Sequence, residues 1–248
     1  MPDESVQSVE RAMSILLALD ANSPSLDAAT LSTRTGLSRS TVYRLLATLE
    51  QAGMVRKHGS RFELGPNVLK LAGGYRAANH ISLHAKSVLD ELAEQVHTGV
   101  TLAVLDGDVV VTVETGNAVN GDYVLQPHEL GRRIPAIATS VGRMLLAYQE
   151  GDQGGTPTTE PPGTRNSNTP TPEQIRAQGY ALTSGLLETG VRTIAVPVYD
   201  HAGAVVAGLG ILAHADRMSA DELAGEHLVK LRAAADRLTQ LAYFAPAR

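Results

Sequence analysis

The chain has 248 residues and a formal net charge of −5, too long for one small domain, so two are expected. With no cysteine it has no disulfide, no thiolate metal site and no cysteine nucleophile. No run of 18 apolar residues and no leader-like N-terminus occurs, so a soluble, cytoplasmic protein without a membrane partner is expected.

Tryptophan is absent and phenylalanine occurs twice, so the core must be aliphatic. Ser8 to Asp20 sets Val9, Ala12, Met13, Leu16, Leu17 and Leu19 at helical spacing. Leu26 to Thr35 fits a second, short helix with Leu31 inward, and Thr35-Gly36-Leu37 makes a turn in which Gly36 is free to take positive φ. A third helix begins at Ser38, a good N-cap, and buries Val42, Leu45, Leu46 and Leu49. Its other face carries Arg39, Ser40, Thr41, Tyr43, Arg44 and Ala47. These hydrogen-bonding, cationic or small side chains suit a major groove about 12 Å wide. Helix, glycine turn and capped helix form a helix-turn-helix pattern.

Gly53 ends the third helix. Met54 to Lys57 starts a strand, His58-Gly59-Ser60 is turn chemistry, and Arg61 to Leu64 alternates as a return strand. The pair reads as a wing, with Arg56, Lys57 and Arg61 available to phosphates or the minor groove. Between Ser38 and Arg61 five basic residues face one acid, Glu50, a local net of +4 on an acidic chain. Such a patch is the electrostatic footprint of a DNA-binding domain attached to something else. A winged helix serving only to dock proteins is the competing reading, and it would need an apolar face in place of this one.

Pro66 to Ala78 reads as a linker helix, interrupted or kinked at Gly73-Gly74, and Ser82 to His97 as a further helix. Val100 to Leu105 and Val109 to Glu114 are β-branched runs joined by Asp106-Gly107-Asp108, a hairpin signal. Tyr123 to Gln126 is a candidate strand, Gly131 to Ala138 a loop, and Thr139 to Tyr148 a helix. Gly151 to Pro172, rich in glycine, proline and threonine, lacks apolar periodicity and reads as a mobile loop. A capped helix follows from Thr171, then strands over Thr193 to Tyr199 and Ala204 to Leu212, and one long final helix over Ser219 to Tyr243. Antiparallel strands with helices at their ends indicate an α+β domain. The expected divisions are 1–65 for the DNA-binding domain, 66–80 for the linker helix and 81–248 for the rest.

In order and spacing, several segments resemble the IclR family of bacterial transcriptional regulators. The N-terminal carriers are VQSVERAMSILLAL (Val6 to Leu19), TGLSRSTVYRLLATLEQAGMV (Thr35 to Val55) and RFELGPNVLKLA (Arg61 to Ala72). The C-terminal ones are LGRRIPAIATSVGRMLLA (Leu130 to Ala147), QGYALTS (Gln178 to Ser184) and GVRTIAVPVYDHAGAVVAGLGI (Gly190 to Ile211). The resemblance implies a winged helix, a linker helix and a GAF-like α+β domain that binds a small effector, commonly an organic acid or aromatic metabolite. It also implies a homodimer or dimer of dimers on a double-stranded DNA operator, with no cofactor.

By motif, the implied effector residues are Thr139, Ser140, Val141, Thr193, Asp200 and Gly210. The open N–H groups at the start of the Thr139 helix suit a carboxylate. Thr139 is equally an N-cap, and Asp200, beside His201 and Gly203, reads as readily as a turn aspartate. Arg143 fits a surface or interdomain ion pair. The chain departs from the family pattern at Ala136 and Ile137 after Pro135, and at Gly185-Leu186-Leu187, where the acid comes later as Glu188.

An enzymatic reading finds little. No G-x-S-x-G elbow, phosphate loop or dinucleotide fingerprint is present. His80 and His84 lie at i, i+4, yet no third ligand follows at a motif distance, so no metal is expected. A constitutive DNA-binding protein whose C-terminal half only oligomerises is the alternative, and a metabolite-processing domain fused to a winged helix a remote one.

Overall fold

A buried aliphatic cluster organises the N-terminal part. Helices α1 (Gln7–Leu17), α2 (Ala28–Thr35) and α3 (Arg39–Gln51) enclose Ile15, Leu31, Val42 and Leu46, all essentially sealed from solvent. This is a computed structural model, and it describes residues 5–78, 80–126, 129–149 and 170–243, with backbone only at 80–83 and 242–243. The expected loop from Gly151 lies outside the described residues as far as 169. The chain divides into two units, Met1–Ala78 and Asn79–Arg248.

Asp27 caps α2 by accepting the Thr30 N–H at 2.7 Å. Gly36 ends α2 at φ +70°, a left-handed conformation that costs an L-side chain strain and lets the chain turn into α3. Strand β1 (Ser25–Asp27) takes up the first residues of the stretch expected to be helical. It pairs with β3 (Arg61–Leu64), which also pairs with β2 (Val55–His58), giving the order β1-β3-β2. Phe62 opposes Leu26 and anchors this small sheet on the helical core. Helix α4 (Asn67–Ala78) is continuous through Gly73-Gly74 and belongs to the first unit.

The second unit is built on six antiparallel strands in the order β6-β5-β4-β9-β8-β7. They are β4 (Gly99–Asp106), β5 (Val109–Gly116), β6 (Arg133–Pro135), β7 (Ala181–Ser184), β8 (Val191–Tyr199) and β9 (Val205–His214). The expected strand at Tyr123 to Gln126 is irregular chain, and β6 takes the edge position within the expected loop. Helices α5 (His80–Val96) and α9 (Leu228–Tyr243) cover one face, burying Leu89, Leu92, Leu209, Ile211 and Leu231. Helix α6 (Ser140–Tyr148) covers the other, with α7 (Pro172–Gln178) beside it and Met144 and Ile175 sealed between. The long final helix is interrupted. A short α8 (Ala220–Glu222), capped by Ser219, runs into a wide turn where Gly225 leaves helical geometry at φ −97° and ψ −107°.

Two local features set the site. Strand β5 carries one extra residue near Val113, because Leu102 pairs with Glu114 while Ala103 pairs with Thr112. Val110 and Thr112 therefore face α6, whereas Glu114 and Gly116 face α5. On β9, a Cβ at Gly210 would stand 2.9 Å from Val141 Cγ2, so the missing side chain lets α6 approach the sheet closely. Replacing Leu31 with alanine in the N-terminal core is expected to lower stability by about 2–5 kcal/mol, read by denaturant titration of the full chain.

Candidate functional site

Helix α3 carries the residues that the sequence suggests for DNA contact. The Ser38 hydroxyl accepts the Thr41 N–H at 3.3 Å and so fixes the first turn. Arg39, Ser40, Tyr43 and Arg44 are exposed, and neither arginine has an ion-pair partner among the described residues. Thr41 is half-buried and its hydroxyl lies 2.9 Å from Ser38 Oγ, so it belongs to the cap more than to the exposed face.

The wing cations differ from one another. Arg56 pairs with Glu63 at 3.1 Å. Arg61 reaches back to Ser25, its Nε donating to Ser25 Oγ at 3.2 Å and its guanidinium also donating to the Ser25 carbonyl. Lys57 is exposed between them. The +4 window of the sequence stopped at Arg61, two residues short of Glu63, and so overstated the charge the wing offers. An exposed pair is worth only about 0–1 kcal/mol, which a phosphate contact can replace.

The second unit holds a cavity of about 70 Å³ between the sheet and the start of α6, several times the ~10–15 Å³ one water needs. Thr139, Ser140, Val141, Thr193 and Gly210 line it together. Thr139 is the α6 N-cap: its Oγ1 accepts the Gly142 N–H at 2.9 Å and donates to the Ala136 carbonyl at 3.4 Å. Ser140 differs. It is 2% exposed, lines the cavity, and its hydroxyl makes no hydrogen bond among the described residues; Thr112, at 7%, is the same. Both side chains are largely buried while their oxygens stay open to the cavity, so both can bond to a polar occupant.

Asp200 does not line the cavity. Its carboxylate accepts the N–H groups of Ala202 at 2.8 Å and Ala204 at 2.9 Å, closing the β8–β9 turn. That turn lies seven residues along from Thr193, about 23 Å of extended strand, so the effector assignment of Asp200 is corrected to a turn residue. Arg143, expected at a surface or domain boundary, is 9% exposed within the second unit. Ala136 and Ile137 are buried and off the cavity wall, so that departure from the family pattern leaves the wall untouched. Leu186 and Leu187 do line it and make the wall more apolar.

Sequence reasoning missed most of the polar wall. Thr101, Thr112 and Thr183 project from β4, β5 and β7, and Thr183 Oγ1 lies 2.9 Å from that of Thr193. Polar residues inside strands covered on both faces were the available signal. Arg132, Glu129, Tyr123 and Glu188 come from irregular chain, where no periodicity marks them. Arg132 Nη1 lies 2.8 Å from each oxygen of Glu129. Tyr123 donates to Glu188 Oε2 at 3.3 Å, and burial together with the Glu188 charge pushes the phenol above its usual range, keeping it protonated at neutral pH. Among the described residues there is no group of three or more metal-ligating side chains, and no helix is long and apolar enough to cross a membrane.

These two units define a winged-helix DNA-binding protein joined to an α+β domain with a partly polar cavity. Residues 8–59 match the model of the IclR helix-turn-helix domain, and residues 74–240 that of the bacterial transcriptional regulator IclR C-terminal domain. The chain belongs to the IclR family and is a transcriptional regulator. It is 31% identical over 236 residues to the Pca regulon regulatory protein of Pseudomonas putida, covering 92% of this chain and 81% of that one. A Rhodococcus transcriptional regulator shares the fold at a TM-score of 0.76, with 27% identity over 96% of this chain and 98% of that one. An IclR homologue from Microbacterium hydrocarbonoxydans, solved in complex with 4-hydroxybenzoate, has the same fold at a TM-score of 0.77, with 22% identity over 95% and 98% of the two chains.

The cap makes a direct expectation. Thr139→Ala should lower stability by about 0.5–2 kcal/mol in denaturant titration, and Thr139→Ser should recover most of it.

Proposed function

We propose that this regulator binds operator DNA through α3 and the wing, and that a small organic or aromatic acid in the second-unit cavity controls that binding. The observation that carries the proposal is the pair of unpartnered hydroxyls, Ser140 and Thr112, on the wall beside the α6 N-terminus. The N–H groups of the first turn of α6, other than the capped Gly142, face outward from the helix end and favour negative charge. Thr139, Ser140, Val141, Thr193 and Gly210 form the effector site, and Asp200 is left out. Relatives support the acid class: one is named for a Pca regulon, and a structural neighbour is described as complexed with 4-hydroxybenzoate.

On DNA, Arg39, Ser40, Tyr43 and Arg44 make the base and phosphate contacts of the major groove. Lys57 is the principal wing cation, and Arg56 and Arg61 contact phosphate only by leaving Glu63 and Ser25. The working form is a homodimer, or a dimer of dimers, in the cytoplasm. Two recognition helices must lie about 34 Å apart to enter successive grooves. The first unit also leaves apolar side chains for a second copy to cover: Val9, Met13 and Leu17 on α1, and Leu69 and Leu71 on α4, a helix with no buried residue of its own. A 12-residue helix is marginal without packing.

The test uses the full chain. Organic acids are screened by thermal shift, and a ligand at a hundred times its Kd should stabilise by about 2.7 kcal/mol. Ser140→Val together with Thr112→Val should remove that stabilisation and leave DNA affinity unchanged. Stabilisation by none of the acids would return the chain to a constitutive DNA-binding protein. Separately, Arg39→Ala with Arg44→Ala should weaken operator binding by at least tenfold in a mobility-shift titration, at about 1–3 kcal/mol for each base-reading arginine, whereas Arg56→Ala alone should change it little.

A further inference from the structure

The cavity has two chemically different ends. At one end Val141, in the first turn of α6, sits over Gly210 of β9. This end offers N–H groups and the Ser140 hydroxyl, all donors. At the other end the Tyr123 ring packs on His214 at 5.1 Å, four residues further along β9. At roughly 3.3 Å per residue the ends are separated by about 13 Å of strand, before side chains reach inward. That span suits one six-membered ring with a substituent at each end.

The far end is acceptor-rich. Glu188 receives only the long Tyr123 hydrogen bond among the described residues, so its second oxygen is open to another donor. Arg132 offsets it only in part, because it is ion-paired to Glu129, both of whose oxygens lie 2.8 Å from its Nη1. The charged side chains lining the cavity are Glu129, Glu188 and Arg132, a net charge of −1. An anionic group at this end would meet the Glu188 carboxylate, with the lining cation Arg132 already ion-paired to Glu129.

We propose that the Tyr123–Glu188 pair is the specificity filter of the cavity: it selects effectors whose distal group donates a hydrogen bond, a hydroxyl or amine, and rejects those whose distal group is a second carboxylate. The proposal rests on the effector reading above and assigns a role to two residues that reading does not use. Tyr123 comes from the irregular chain after β5 and Glu188 from the turn before β8, so the pair bridges two segments across the cavity mouth. Glu188 is exposed, and its replacement leaves the core intact.

The experiment is calorimetric titration of the full chain, and of Glu188→Gln, with benzoate, 4-hydroxybenzoate, 4-aminobenzoate and terephthalate. In the native chain the hydroxy and amino acids should bind about tenfold more tightly than benzoate, the size of one hydrogen bond to a charged group, and terephthalate more weakly than benzoate. In Glu188→Gln the hydroxyl and amine advantages should shrink to about threefold or less, and terephthalate should rise to the level of benzoate. Benzoate should still bind to Glu188→Gln, which reports an intact fold. If benzoate binds and the ranking is flat, or is the same in both proteins, the filter is wrong and the effector reading stands. If none of the four binds, the effector reading falls and takes the filter with it.

Discussion

A sheet covered by helices on both faces tolerates polar side chains inside it only where something answers them, and that constraint governs the second unit. Its α5–α9 face obeys the constraint with aliphatic packing around Leu89, Leu209 and Ile211. Its α6 face obeys it only in part, because Thr101, Thr112, Thr183 and Thr193 stand where aliphatic residues would pack. Two of these threonines answer each other. The remainder, with Ser140, open onto a space that the missing side chain of Gly210 helps to keep in place beneath α6. Hydroxyls on such a wall contribute most when a ligand supplies the partner that the protein does not.

Helix existence was legible wherever apolar spacing was strong and a cap was spelled out. Ser38, Thr139 and Thr171 were readable as caps, and each accepts a backbone N–H of its helix's first turn. Misreadings fell where local chemistry is ambiguous. Ser25–Asp27 is too short to show alternation, and β6 is a three-residue edge strand containing a proline. The final helix breaks at Gly225, a residue whose cost inside a helix pattern is modest enough to be read through.

Site legibility followed the same line. The exposed face of α3 was readable because the helix period sorts its residues into two sides, and the family motif pointed to the start of α6, where Thr139, Ser140 and Val141 line the cavity. Asp200 was misassigned because a motif fixes sequence position and says nothing about which end of a strand a pocket occupies. Tyr123, Glu129, Arg132 and Glu188 could not be found from the sequence: they converge from segments without periodicity, through contacts between residues as far apart as Tyr123 and Glu188. The wing was read too generously because charge was counted along the chain, while Arg56 meets Glu63 across a strand pair.

The extra residue in β5 makes one strand serve two masters. Before it, Thr112 helps to wall the cavity; beyond it, Gly116 allows the backbone of Leu89 in α5 to come close. Sidedness in this strand is therefore a matter of residue count and not of residue type. Deleting Val113 would straighten the strand yet leave Thr112 opposite Ala103 and Glu114 opposite Leu102, each on its present face. The bulge is thus the one point in the irregular register where this strand could lose a residue without exchanging its two faces, while substitution reshapes the receptor wall independently.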